Sequence, residues 1–157
     1  MIQQVKGLLD QGGRLEESVS EEIANHRQTK GKYIPGFGHR FHKPEDPRAP
    51  RLMKLVSDAE GEKLVSGNFM RIGLEIQRQL SQGKSTGIAM NIDGATAVIF
   101  GELGFAPPLA RGLFCLSRSV GILAHAWEQK NQGGRNKGPT PPEFLWNYSG
   151  KNPLEEG

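Results

Sequence analysis

The 157-residue sequence predicts an all-α fold. Three observations carry that expectation. Apolar residues recur at helical spacing in six separate stretches, no stretch alternates convincingly at the period of a strand, and glycine or proline marks the joints. The chain is long enough for one domain with a real core and too short for two large ones.

The elements follow in order. Met1–Gln11 reads as a helix with Ile2, Val5, Leu8 and Leu9 on one face, stopped by Gly12 and Gly13. Leu15–Arg27 is a more polar helix whose apolar positions are Leu15, Val19 and Ile23. After a proline-rich loop, a third helix starts near Ala49, is expected to bury Leu52, Leu55, Val56 and Ala59, and falters at Gly61. Gly67–Leu80 sets Phe69, Ile72, Ile76 and Leu80 on one stripe, and Gly83 ends it. Asn91–Leu103 is a short apolar helix between Gly87 and Gly104. In the last helix Leu109, Leu113, Leu116, Val120, Leu123 and Trp127 form a seam expected to be buried. Pro107 and Pro108 suit its first turn and Gly133–Gly134 its end. Gly73, Gly101, Gly112 and Gly121 lie inside helices at a cost in propensity, which close helix–helix packing would offset.

Composition narrows the partners. The net charge of +3 comes from 20 basic and 17 acidic residues, with no basic run interleaved with aromatics. That balance favours small anionic ligands over nucleic acid. No apolar run is long enough to span a bilayer, and no basic-then-apolar leader opens the chain, so no membrane is expected. The single cysteine, Cys115, excludes an internal disulfide framework and fits a reducing cytoplasm; it reads as core filler.

The loop "IPGFGHRFHKPEDPRAPR", Ile34–Arg51, holds the densest chemistry. It lacks the third glycine of a dinucleotide fingerprint, where Phe41 stands, and the Gly-Lys-Ser/Thr ending of a P-loop. His39, His42 and Asp46 offer metal donors without a second ligand cluster, so no metal is implied. A plain surface turn explains the glycines and prolines and leaves the crowd of cations unexplained. A glycine loop exposing backbone N–H groups beside cations suits a phosphorylated or carboxylated ligand.

Two further stretches bear on function. In "NIDGATAVIFGELGF" Asp93 stands near a helix start, where alone it reads as an acid stabilised by the helix dipole. In "LFCLSRSVGILAHAWEQ" Arg118 and His125 share one face of the apolar last helix, away from its seam. A buried arginine there needs an anion, either an internal glutamate or a substrate carboxylate.

In this order and spacing, "GFGHR…K..DPRA", "N.DG……..LG" and "LF.LSRSVG..AH..EQ" resemble the C-terminal part of citrate synthases and citryl-CoA lyases. The resemblance covers Leu8 to Gln129. It implies carbon–carbon bond formation or cleavage between acetyl-CoA and a 2-oxo dicarboxylic acid such as oxaloacetate, a step of the tricarboxylic acid cycle. On the family's pattern, His39 donates a hydrogen bond to the oxo-acid carbonyl and Asp93 is the proton-transfer residue. Arg48 and Arg118 are implied as carboxylate clamps. The backbone of Pro35, Gly36, Phe37 and Gly38, with the Lys43 side chain, is implied as the coenzyme A site. Coenzyme A enters as substrate, and no tightly bound cofactor is implied.

The same resemblance divides the chain into a small CoA- and oxo-acid-binding helical domain, residues 1–104, and a returning large-domain helix with its tail, residues 105–157. Two departures stand out. The family's first catalytic histidine belongs upstream of the segment resembling Met1–Gln11, so the chain is expected to be an incomplete part of a longer enzyme. The family's C-terminal basic motif is missing, and "GGRNKGPTPPEF" stands in its place with Arg135 and Lys137 as the candidate substitutes. A homo-oligomer or an upstream-encoded large-domain partner is expected. The alternative reading is a non-catalytic CoA-binding module.

Overall fold

The computed structural model describes residues 1–42 and 45–133. The chain forms two units, Met1–Ser117 and Arg118–Gly157. Among the described residues six helices follow in order: α1 Ile2–Asp10, α2 Leu15–Thr29, α3 Arg48–Gly61, α4 Asn68–Ser81, α5 Ile92–Glu102 and α6 Pro107–Asn131. No strand occurs among the described residues; one isolated antiparallel bridge joins Phe37 to Met90. No single helix among them is long and apolar enough to cross a membrane.

The first unit has two adjoining cores. One gathers Val5, Val19, Ile23, Ile72 and Ile76 from α1, α2 and α4. The other joins Ala49 and Val56 of α3 to Met90, Ala95 and Val98. Ile2 and Phe37 pack against both, so the loop holding Phe37 is pinned where the cores meet. The helix ends follow the glycines: Gly12, Gly83 and Gly104 have φ of +91°, +70° and +77°, a region where a Cβ is disfavoured.

Helix α3 buries Ala49 and Val56 and half-buries Leu52 and Met53, the spacing of one helical face. Leu55 lies off that face and is 56% exposed, which corrects its expected burial. Pro50 falls in the first turn, where its missing N–H removes no helical bond.

Packing of helix glycines differs by helix. A Cβ on Gly73 would stand 2.7 Å from Met90 Cε and 2.9 Å from Val98 Cγ2, and one on Gly101 would meet the Phe69 ring at 2.5 Å. Both glycines allow α4 and α5 to approach closely. At Gly112 and Gly121 a Cβ would meet nothing within 4 Å among the described residues, so close packing does not account for them.

A tertiary cap starts α4. Its N-cap, Gly67, has no side chain to serve the orphan N–H groups. The carboxylate of Glu102, at the end of α5, accepts from Gly67 N (3.0 Å), Phe69 N (2.7 Å) and Met70 N (3.2 Å). It also accepts from the Ser66 hydroxyl at 2.9 Å.

The expected burial of the α6 seam is not found. No residue of α6 is buried, and Val120, Leu123 and Trp127 are 77%, 71% and 64% exposed.

Candidate active site

The Ile34–His42 loop is fastened to the start of α5. Gly38 N–H donates to Ala89 O (2.7 Å) and Asn91 N–H to Gly36 O (2.9 Å), flanking the Phe37–Met90 bridge. The Asn91 side chain works in two directions. Its Nδ2 donates to Gly38 O at 2.7 Å, while its Oδ1 accepts from Asp93 N (2.9 Å) and Gly94 N (3.2 Å), capping α5. One asparagine thereby ties the residue before His39 to the turn carrying Asp93.

The glycines of this loop serve close approach. Gly36 has φ +89°, and a Cβ on it would meet Gly94 Cα at 2.8 Å; a Cβ on Gly94 would meet Gly36 O at 2.3 Å. Phe37 N–H donates to Ile34 O at 3.3 Å, and Gly38 N–H is already engaged by Ala89. Those two amides are therefore turned into the fold. This corrects the expectation of a loop offering its N–H groups to an anion.

His39 is held by its own backbone neighbours. Phe41 N–H (3.1 Å) and His42 N–H (3.0 Å) both donate to His39 Nδ1. An Nδ1 that accepts two N–H groups carries no proton, so the neutral ring bears its proton on Nε2. The His42 ring lies 4.4 Å away, centroid to centroid, and limits rotation of His39. His39 lines a cleft of about 510 Å³ together with Tyr33, Phe37, Arg40, His42 and the Thr86–Ala89 segment.

Asp46 and Arg48 form a fork at the start of α3. Arg48 Nε and Nη2 donate to Asp46 Oδ1 and Oδ2 at 2.9 and 2.8 Å. Asp46 also accepts from Arg48 N (3.1 Å) and, across the chain, from Ile92 N in the first turn of α5 (3.1 Å). The Asp46 side chain is 1% exposed and that of Arg48 42%. Hydrogen bonding from the Arg48 guanidinium, against the cost of burial, holds the Asp46 carboxyl well below the usual carboxylate range. The same bond, with the nearby charges of Asp46 and Asp93, raises the pKa of Arg48. Asp46 thus has its oxygens committed to N–H donors and is not a metal ligand.

Asp93 stands in the first turn of α5. It is exposed, whereas the role implied for it calls for desolvation. It lines a second cleft, of about 490 Å³, with Pro35, Thr96, Arg111, Phe114 and Cys115. The loop thus has Pro35 on the Asp93 cleft and Phe37 to His39 on the other. Cys115 is exposed, which corrects its reading as core filler.

The start of α5 thus carries Asp93 and holds the backbone before His39 through Asn91 and the Asp46–Arg48 fork through Ile92, while the His39 and Asp93 side chains line different clefts. Arg118 belongs to the second unit and is exposed, so the expected burial of a mid-helix cation does not hold. Lys43, Arg135 and Lys137 lie outside the described residues. Asn91 and Asp46 were not read from the sequence as joints of the site. An asparagine before an apolar helix is an N-cap signal that could have found the first.

The chain has known relatives. The model of the citrate synthase C-terminal domain matches residues 1–139. Citrate synthase of Acidithiobacillus ferridurans is 29% identical over 142 residues, 89% of this chain and 34% of that protein. Citrate synthase 1 of Mycobacterium tuberculosis is 29% identical over 95% of this chain and 34% of its own length. The citryl-CoA lyase structure from Hydrogenobacter thermophilus superposes with a TM-score of 0.66 at 28% identity, covering 97% of this chain and 56% of that one. The chain spans about a third of the curated relatives it matches. By its helices, its loop and these matches, the chain belongs to the citrate synthase family.

Proposed function

We propose that this chain supplies the coenzyme A and oxo-acid half of an enzyme that makes or breaks a carbon–carbon bond between acetyl-CoA and a 2-oxo dicarboxylic acid such as oxaloacetate. The observation that carries this reading is the gathering of a hydrogen-bond donor, a cation and a carboxylate around the first turn of α5. In the condensation direction Asp93 takes a proton from the acetyl methyl group, and the resulting enolate carbon attacks the 2-oxo carbon. The carbonyl oxygen becomes an alkoxide, which His39 stabilises through Nε2–H. Arg48 holds a carboxylate of the oxo acid. Cleavage of citryl-CoA is the same path reversed, with Asp93 returning the proton to the enolate. The likeness to a citryl-CoA lyase supports including that direction.

Coenzyme A is assigned to the loop from Pro35 to Lys43, between the two clefts. The exposure of Asp93 calls for cover from the rest of the enzyme, since a base works best where water is excluded. A second copy of the chain or a separately encoded large-domain partner is the proposed cover for Val120, Leu123 and Trp127. The proposed compartment is the cytoplasm.

Calorimetric titration of the chain with coenzyme A and with oxaloacetate tests the binding half. Proton exchange from the acetyl-CoA methyl group into deuterated water, with and without Asp93→Asn, tests the chemical half in a complete enzyme. Exchange at the parental rate in Asp93→Asn removes Asp93 from the mechanism. Binding of coenzyme A with no oxaloacetate binding and no exchange would leave a CoA-binding module.

A further inference from the structure

Arg48 does not meet its surroundings as an isolated cation. A guanidinium has two edges that can engage a carboxylate with two parallel bonds: Nε with one hydrogen of Nη2, and Nη1 with the other hydrogen of Nη2. Asp46 occupies the first edge, at 2.9 and 2.8 Å. The second edge makes no hydrogen bond with the described residues, and 42% of the side chain is open to solvent. The other side of Asp46 accepts Ile92 N–H, in the turn that carries Asp93.

We propose that Asp46 is a positioning residue for ligand binding: it holds the inner edge of Arg48, turns the outer edge toward the incoming carboxylate, and fixes that edge to the start of α5. A flexible arginine must be ordered when it binds a carboxylate, and this cost weakens binding. An arginine already clamped on its inner edge avoids most of it. Burial makes Asp46 effective, because no water competes for its oxygens. Its place also accounts for Pro47 between the pair. A rigid residue keeps the carboxylate and the Arg48 backbone N–H within one tight turn, where they bond at 3.1 Å. The inference rests on the reading of Arg48 as a carboxylate clamp.

The test is a double-mutant cycle on the full 157-residue chain, read by calorimetric titration with oxaloacetate and with citrate. The variants are Asp46→Asn, Arg48→Gln and the pair together. Asparagine keeps the size of the residue and one acceptor for Ile92 N–H, but its amide group cannot accept both guanidinium donors. Circular dichroism and a urea midpoint establish that each variant is folded at the titration temperature. Folded Asp46→Asn is expected to bind oxaloacetate about tenfold or more weakly. Arg48→Gln is expected to lose at least as much, and the double variant no more than Arg48→Gln alone. A residue that merely supports the fold would not give that non-additivity.

Parental affinity in folded Asp46→Asn, with Arg48→Gln impaired, overturns the inference and leaves the clamp reading standing. Parental affinity in Arg48→Gln, or no binding of either acid by the parent, overturns both. If Asp46→Asn fails to fold, Asp46→Glu takes its place with the same two outcomes. It keeps the charge and displaces the carboxylate by one methylene.

Discussion

Helices α4 and α6 carry similar apolar stripes and meet different fates. In α4, Ile72 and Ile76 are fully buried and Leu80 is 5% exposed. In α6, Leu116, Val120 and Leu123 are 66%, 77% and 71% exposed. The stripes repeat at the same helical spacing, so periodicity is not what separates them. The neighbours are. Helices α1, α2 and α5 pack against α4, while the seam side chains of α6 stay exposed. A stripe states which face of a helix needs cover; only other elements decide whether cover arrives.

The largest effect expected from this contrast is in truncation. Ile76→Ala removes a fully buried side chain from the first core and should cost about 2–5 kcal/mol in urea unfolding. Leu123→Ala, on an exposed face, should change the same measurement by no more than about 0.5 kcal/mol. Comparable losses in the two variants would show that the α6 seam is covered in solution.

How far the sequence could be read follows the same line. All six helices were legible, because stripe and stop signals are local, and their ends fall within a few residues of the expected positions. Burial of Leu55 and of the α6 seam was not, since period alone does not select the neighbour. Motif order put His39, Arg48 and Asp93 forward as site residues, and the structure ties the backbone before His39 and the Asp46–Arg48 pair to the helix start that carries Asp93. Their fastening was hidden. Asp46 reads as an acid in a charged loop until Ile92, far along the chain, comes within 3.1 Å. Glu102 had no signature at all, because the α4 amides it caps lie more than thirty residues upstream.

That cap supplies the next prediction. Glu102→Ala should leave the first-turn amides of α4 without their acceptor and cost about 1–3 kcal/mol, measured by chemical denaturation. Glu102→Gln, which keeps one carbonyl oxygen, should fall between. An unchanged midpoint in Glu102→Ala would mean that water serves those amides as well.

Acid should act on the buried carboxylates of the first unit. Asp46 and Glu75 both have folded pKa values lowered, each chiefly by hydrogen bonding from an arginine, Arg48 and Arg78 respectively. A carboxyl lowered on folding adds stability that is fully present above its unfolded pKa, about 4, and is lost as pH falls toward the folded value. The urea midpoint should therefore hold between pH 7 and 5 and decline below about pH 4. In Asp46→Asn the decline should be shallower. An equally steep decline in that variant would place the acid sensitivity elsewhere.

The smallest expected effect is also the one whose sign divides the two helices. Gly73→Ala in α4 and Gly121→Ala in α6 make the same chemical change in two helix interiors. Each gains helix propensity, about 1 kcal/mol for alanine over glycine. At Gly73 the new methyl would lie 2.9 Å from Val98 Cγ2, a β-branched side chain that is fully buried and has nowhere to move. Overpacking of that kind costs about 1–3 kcal/mol and should leave Gly73→Ala less stable than the parent. At Gly121 nothing among the described residues lies within 4 Å, so the propensity gain should stand alone. Its size depends on whether α6 unfolds with the rest of the chain, and about 0.5–1 kcal/mol is expected if it does. Helicity by circular dichroism and urea midpoints of the two variants measure both signs. Stabilisation by Gly73→Ala would show that α4 and α5 stand further apart than described. Destabilisation by Gly121→Ala would show that another chain or segment packs closely against α6 at that glycine.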